Sequence, residues 1–103
     1  MAETDAGLVV IDAGPGGKVS QDMIASLRQL SDAPVHALCY SHGHIGYNAG
    51  VPAWLEHAAA RGEPVPRLIA HRNLPRRQAR YRETRALQHR MAEIQFNRSA
   101  GFF

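Results

Sequence analysis

Three apolar runs, LVVID at 8–12, VHALCYS at 35–41 and RLIAH at 67–71, alternate with stretches of helical character. That order constrains the fold more than any other feature of the chain. Strands separated by helices are the mark of βαβ units with parallel strands. The first run, Leu8 to Asp12, is apolar without alternation, as expected where both faces of a sheet are covered. It stops at AGPGG, a glycine and proline turn. Ser20 then stands as the N-cap of a helix that carries Val19, Met23, Ile24, Leu27 and Leu30 on one side and ends at Asp32, Ala33 and Pro34. After the second run, Pro52 is placed as the first residue of a helix through Trp54, Leu55, Ala58 and Ala59, with Gly62 as its stop. From Asn73 and Pro75 one long helix is expected to run to about Gln95. Its first half reads PRRQARYRETR, and its second half carries Leu87, Met91 and Ile94 as an apolar stripe.

These elements make a single partial domain over residues 1–103, with a core at 7–96 and a tail at 97–103. Hydrophobic residues form 45% of the chain and charged residues 20%, so it should bury a core. The apolar runs fall far short of the roughly 20 residues that span a bilayer, which argues against a membrane partner. The start, MAETDAGLVV, has two acids and no basic region, so the cytoplasm is the expected compartment. The single cysteine, Cys39, lies in an apolar run and reads as a buried, inert thiol.

The charge is lopsided. Net charge is only +3, yet eight of the twelve basic residues fall between Arg72 and Arg98. Arg76, Arg77, Arg80 and Arg85 recur at helical spacing, with Tyr81 among them as a stacking surface, a pattern that could neutralise nucleic-acid phosphates. A solvated face, or one that pairs with acids on a further domain or partner, accounts for the run more simply. No recognised nucleic-acid motif accompanies it, so nucleic acid is the less favoured partner.

The second run delivers the chain into HGHIGYNAG. Residues at i and i+2 of extended backbone point to one side, so His42 and His44 can present both imidazoles to one ion while Gly43 takes up the bend. The carboxyl ends of strands are where open α/β sheets bind ligands. Two ligands are not a site, since catalytic zinc takes three protein ligands and water.

A strand ending in IDAG, a helix, a second strand ending in SHGH and a glycine-led helix together resemble the N-terminal half of the metallo-β-lactamase superfamily. Relatives with a similar layout include hydrolases of alkyl sulfate esters. The resemblance covers roughly Leu8 to His71 and implies an α/β fold, the βαβαβα half of an αββα sandwich. It implies that His42 and His44 match the two ligands of the first metal of the family's H-x-H-x-D-H motif, and that Asp12 matches the supporting aspartate, which orients a ligand by hydrogen bonding. A strand-end cap over the glycine turn is the plain alternative for Asp12. Two positions depart from the motif. Gly46 stands where the family has aspartate, and Tyr47 where it has histidine, so a dinuclear centre is not expected. Glycine has no ligating group, and a neutral phenol is a poor zinc ligand. His71, at the end of the third run, is the internal candidate for a third ligand, with Tyr47 as the weaker alternative, while His57 and His89 read as surface residues.

The resemblance therefore implies a metal-dependent hydrolase of a small-molecule ester or sulfate ester, divergent or truncated, with a single zinc ion and catalysis in question. The alternative is a non-catalytic interaction module. It would pair with a second copy or a missing C-terminal half to hide its open sheet, or bind nucleic acid through the arginine-rich helix.

Overall fold

Two βαβ crossovers account for the first 71 residues. The computed structural model describes residues 1–96 and divides into two compact units, Met1–His71 and a second that begins at Arg72. The expected tail at 97–103 lies outside the described residues. In the first unit the elements are β1 (Ala2–Thr4), β2 (Gly7–Ile11), α1 (Gly17–Leu30), β3 (Val35–Cys39), a 3-10 turn at Ile45–Tyr47, α2 (Val51–Ala60) and β4 (Arg67–Ile69). The strands form one sheet in the order β1-β2-β3-β4. β2, β3 and β4 are parallel, and β1 is an antiparallel edge strand.

β1 is absent from the sequence reading. Its only local sign is the turn after it, where Thr4 Oγ1 donates to the Gly7 carbonyl at 2.7 Å and Gly7 takes φ 125°, a conformation that favours glycine.

Along β2, Leu8 and Val10 point to the face that receives the helices. They join Ile24 and Leu27 of α1, Val35 and Leu38 of β3, and Val51 and Trp54 of α2 in one buried cluster. Leu8, Leu38 and Trp54 are almost wholly buried, and a buried aliphatic side chain contributes about 2 kcal/mol. Of the five apolar residues expected on the inner side of α1, only Ile24 and Leu27 are buried. Val19 and Leu30 remain exposed because the sheet meets a narrower strip of the helix than the sequence offers. Cys39 is half-buried rather than buried.

Ser20 is not an N-cap. The helix begins at Gly17, and Ser20 lies inside it, fully buried, accepting from the Gly16 N–H at 2.9 Å and donating to the Ala13 carbonyl at 3.0 Å. It ties the turn down from within the helix. α2 does carry its proline in the first turn, and Gly62 follows it with φ 68°.

In the second unit the single long helix is instead two, α3 (Leu74–Glu83) and α4 (Arg85–Phe96). They break at Thr84, whose N–H and Oγ1 both bond the Arg80 carbonyl. A threonine bonding back to the carbonyl four residues earlier competes with the regular ladder and bends a helix. Among the described residues, no helix is long and apolar enough to cross a membrane.

Candidate metal-binding site

The site is built on two chain segments laced together by backbone and amide hydrogen bonds. One is the turn after β2, residues 12–14, and the other is the loop after β3, residues 41–50. Asp12 N–H donates to the Cys39 carbonyl, Gly14 N–H to the Tyr47 carbonyl, and Gly50 N–H to the Gly14 carbonyl, at 2.8–2.9 Å. Asn48, buried, bridges them with its amide: Oδ1 accepts from the Ala13 N–H at 3.0 Å, and Nδ2 donates to Asp12 Oδ1 at 2.9 Å. The Ala13 carbonyl accepts from Ser20 Oγ and from the Trp54 indole N–H, which fastens both helices to the same turn. A loop held at so many points keeps its side chains in place.

His42 and His44 lie in this loop. Their rings are 6.1 Å apart, centroid to centroid, and inclined at 41°. Tyr47 packs edge-on against both, at 4.5 Å from His42 and 5.2 Å from His44. His44 ends the extended stretch and caps the 3-10 turn, its Nδ1 accepting from the Gly46 N–H at 3.1 Å.

Asp12 takes φ 61°, a left-handed conformation that aspartate tolerates better than most residues. From there its carboxylate accepts from the Ser41 N–H and from Asn48 at Oδ1, and from the Ser41 hydroxyl at Oδ2. Burial works to raise its pKa, but the Ser41 side-chain and backbone bonds, the Asn48 bond and the nearby His42 outweigh it and hold the carboxyl below its ordinary value.

These bonds constrain where the imidazoles can carry their protons. The Ser41 hydroxyl gives its one proton to Asp12, so toward His42 Nδ1, 2.7 Å away, it can only accept. His42 Nδ1 therefore faces an oxygen whose own proton is directed to Asp12. His44 accepts at Nδ1, so its bare nitrogen is Nδ1. Each ring offers one lone pair, and neutral imidazole is a common zinc ligand. The donor chemistry fits zinc at two positions, and an ion at His44 Nδ1 would take the place of the Gly46 N–H. Among the described residues, however, no group of three or more His, Cys, Asp or Glu side chains could hold a metal. His71 follows the end of β4, is exposed, and joins no such group with the pair.

Residues 1–92 match the family model of the metallo-β-lactamase superfamily. The chain belongs to that superfamily. Its parallel sheet with crossover helices is half of the metallo-β-lactamase fold. A linear primary-alkylsulfatase of Pseudomonas sp. (strain ATCC 19151) is 31% identical over 74 residues, which is 72% of this chain and 14% of the relative. The chain thus spans about a seventh of the length of the curated relative it matches. No solved structure matches it.

Ser41 and Asn48 are the residues of this superfamily loop that sequence reasoning missed. Ser41 was read only as the last residue of a strand, and β3 in fact ends at Cys39. The faint signal for both was position: each flanks the HGHIGY segment and carries a short polar side chain.

Proposed function

We propose that the chain carries part of the centre of a metal-dependent hydrolase that cleaves an ester or sulfate ester, with His42 and His44 as two ligands of a single zinc ion. Asp12 fixes His42 through Ser41, and the remaining ligands come from a further segment or a partner chain. The observation that carries this reading is the neighbouring pair of imidazoles at the carboxyl end of β3, with ring centroids 6.1 Å apart. The 31% identity to an alkylsulfatase supports the substrate class. Bound zinc would lower the pKa of its water to about 7 and polarise the ester. The chain's own part is to hold two ligands and to keep their orientation through the Asp12, Ser41 and Asn48 bonds. Gly46 offers no carboxylate to orient a water, so hydrolysis by this chain alone stays at background.

The test is zinc uptake. Titration calorimetry should register zinc binding by the chain and its loss in the His42→Ala, His44→Ala double variant. Equal uptake by both proteins would remove the reading.

A second reading, a non-catalytic module that binds a polyanion, is favoured by one observation. Arg76, Arg77, Arg80 and Arg82 of α3 are all exposed, and the Arg77 guanidinium lies 5.8 Å over the Tyr81 ring. On this reading, elution from heparin shifts to much lower salt when Arg76, Arg77 and Arg80 are replaced by alanine, and unchanged elution contradicts it.

A further inference from the structure

The carboxylate of Asp12, the hydroxyl of Ser41 and Nδ1 of His42 form an unbroken chain of hydrogen bonds. Asp12 reaches the imidazole only through Ser41, since its other carboxylate oxygen is taken up by the Ser41 N–H at 3.0 Å and Asn48 Nδ2 at 2.9 Å. A hydroxyl has one proton and can point it one way at a time. An ionised carboxylate accepts and cannot donate, so it draws that proton and leaves the serine oxygen facing the ring as an acceptor. We propose that Ser41 is a positioning residue that converts the negative charge of Asp12 into the tautomer of His42, keeping Nδ1 protonated and Nε2 bare.

This goes beyond an aspartate that merely steadies a ligand. The polarity of the whole chain is set at its far end, so reversing hydrogen-bond polarity at position 12 reverses it at the ring. Asp12→Asn makes that reversal with little change in shape. The asparagine Oδ1 still accepts from the Ser41 N–H and from Asn48, and asparagine tolerates the left-handed backbone at this position. Its Nδ2, in place of Oδ2, now donates to Ser41 Oγ. The serine proton then turns to His42 Nδ1, and the ring proton passes through solvent to Nε2. Both imidazoles remain in the loop, but the nitrogen that would face an ion is blocked.

The inference rests on His42 being a ligand, as proposed above, yet the tautomer itself is measured in the metal-free chain, so the two ideas fail separately. The experiment is a long-range proton–nitrogen correlation spectrum of the 15N-labelled 103-residue chain at a pH of about 8, where unperturbed imidazole is neutral. The native protein and Ser41→Thr, which keeps the hydroxyl, should both give a protonated Nδ1 at His42. Asp12→Asn should give a protonated Nε2, and Ser41→Ala should give averaged nitrogen shifts. Zinc affinity should fall about tenfold or more in Asp12→Asn, the scale of lost outer-shell contacts, and be retained in Ser41→Thr. A protonated Nδ1 persisting in Asp12→Asn would overturn the proposal. Should Asp12→Asn not fold, Ser41→Ala against Ser41→Thr decides alone: identical His42 shifts in the two would also overturn it. Unchanged zinc uptake in His42→Ala would instead strike the ligand assignment and leave the tautomer result standing.

Discussion

Gly50 occupies a position where one added carbon has nowhere to go. A Cβ there would sit 2.1 Å from Ser20 Oγ and 2.4 Å from the Ala13 carbonyl oxygen, and neither can give way, because that oxygen also holds the Trp54 indole. Gly50→Ala is therefore expected to destabilise the first unit by about 2–3 kcal/mol, the usual cost of overpacking, read as a lower urea midpoint at unchanged slope. Ser20→Ala is a milder lesion at the same place. It strips the Gly16 N–H of its acceptor while the Ala13 carbonyl keeps Trp54, so about 1–2 kcal/mol is expected in the same measurement. Sequence reasoning made Ser20 an N-cap, whereas it bonds the turn backbone from inside the helix. It could not pick out Ser41 or Asn48. Their partners at Asp12 are 29 and 36 residues away, and neither periodicity nor local turn chemistry records a bond made between distant segments.

At the scale of elements, α1 and α2 are joined at their C-terminal ends by an ionisable cluster that the sequence reading passed over. Arg28 of α1 donates from Nε to His57 Nε2 of α2 at 2.9 Å, and from Nη1 to the Ser31 and Ala33 carbonyls. Arg61 bonds Glu63 and the Asp32 carbonyl, and Arg28 Nη2 faces Glu63 across 4.0 Å. His57 can accept from Arg28 only while its Nε2 is bare, and protonation would set two cations against each other. Burial, then the charges of Arg28 and Arg61, push its pKa below the ordinary 6.5, with Glu63 opposing. A group with a depressed folded-state pKa binds its proton more readily unfolded, so its contribution is complete above pH 6.5. That contribution declines as pH falls from there toward the folded value. Urea midpoints are expected to drop over that range in the native protein and to drop less in His57→Gln, which keeps an acceptor for Arg28 without titrating. Equal pH dependence in the two proteins would refute the coupling. His57 reads from sequence as a surface residue because its helix is rich in alanine, and the residue that half-buries it lies on another helix. The break at Thr84 was equally hidden, since no glycine or proline marks it and the residues on both sides are good helix formers.

For the molecule as a whole, the parallel sense of β2, β3 and β4 was legible because apolar runs and helical stretches alternate, and that pattern admits few topologies. What lies on the second face of the sheet was legible only as a demand. The run LVVID does not alternate, which calls for cover on both sides, and α1 and α2 supply it on the side of Leu8 and Val10. On the opposite side, register aligns Ile11, Cys39 and Ile69 in a row across β2, β3 and β4. Ile11 is 57% exposed and Ile69 42%. In a sandwich fold that row would meet a second sheet, and this chain spans 14% of the length of its alkylsulfatase relative. A bare apolar row on a sheet is a surface for association, and a second copy offers the same row in return. The 103-residue chain on its own is therefore expected to sediment with a mass above 11.3 kDa, increasingly so with concentration. Ile11→Glu with Ile69→Glu should return it to the monomer mass with unchanged helix content by circular dichroism, because both residues are exposed and neither belongs to the buried cluster. A native chain that stays monomeric across the accessible concentrations would show that the row needs no cover, and that the non-alternating run answers to something other than burial on two sides.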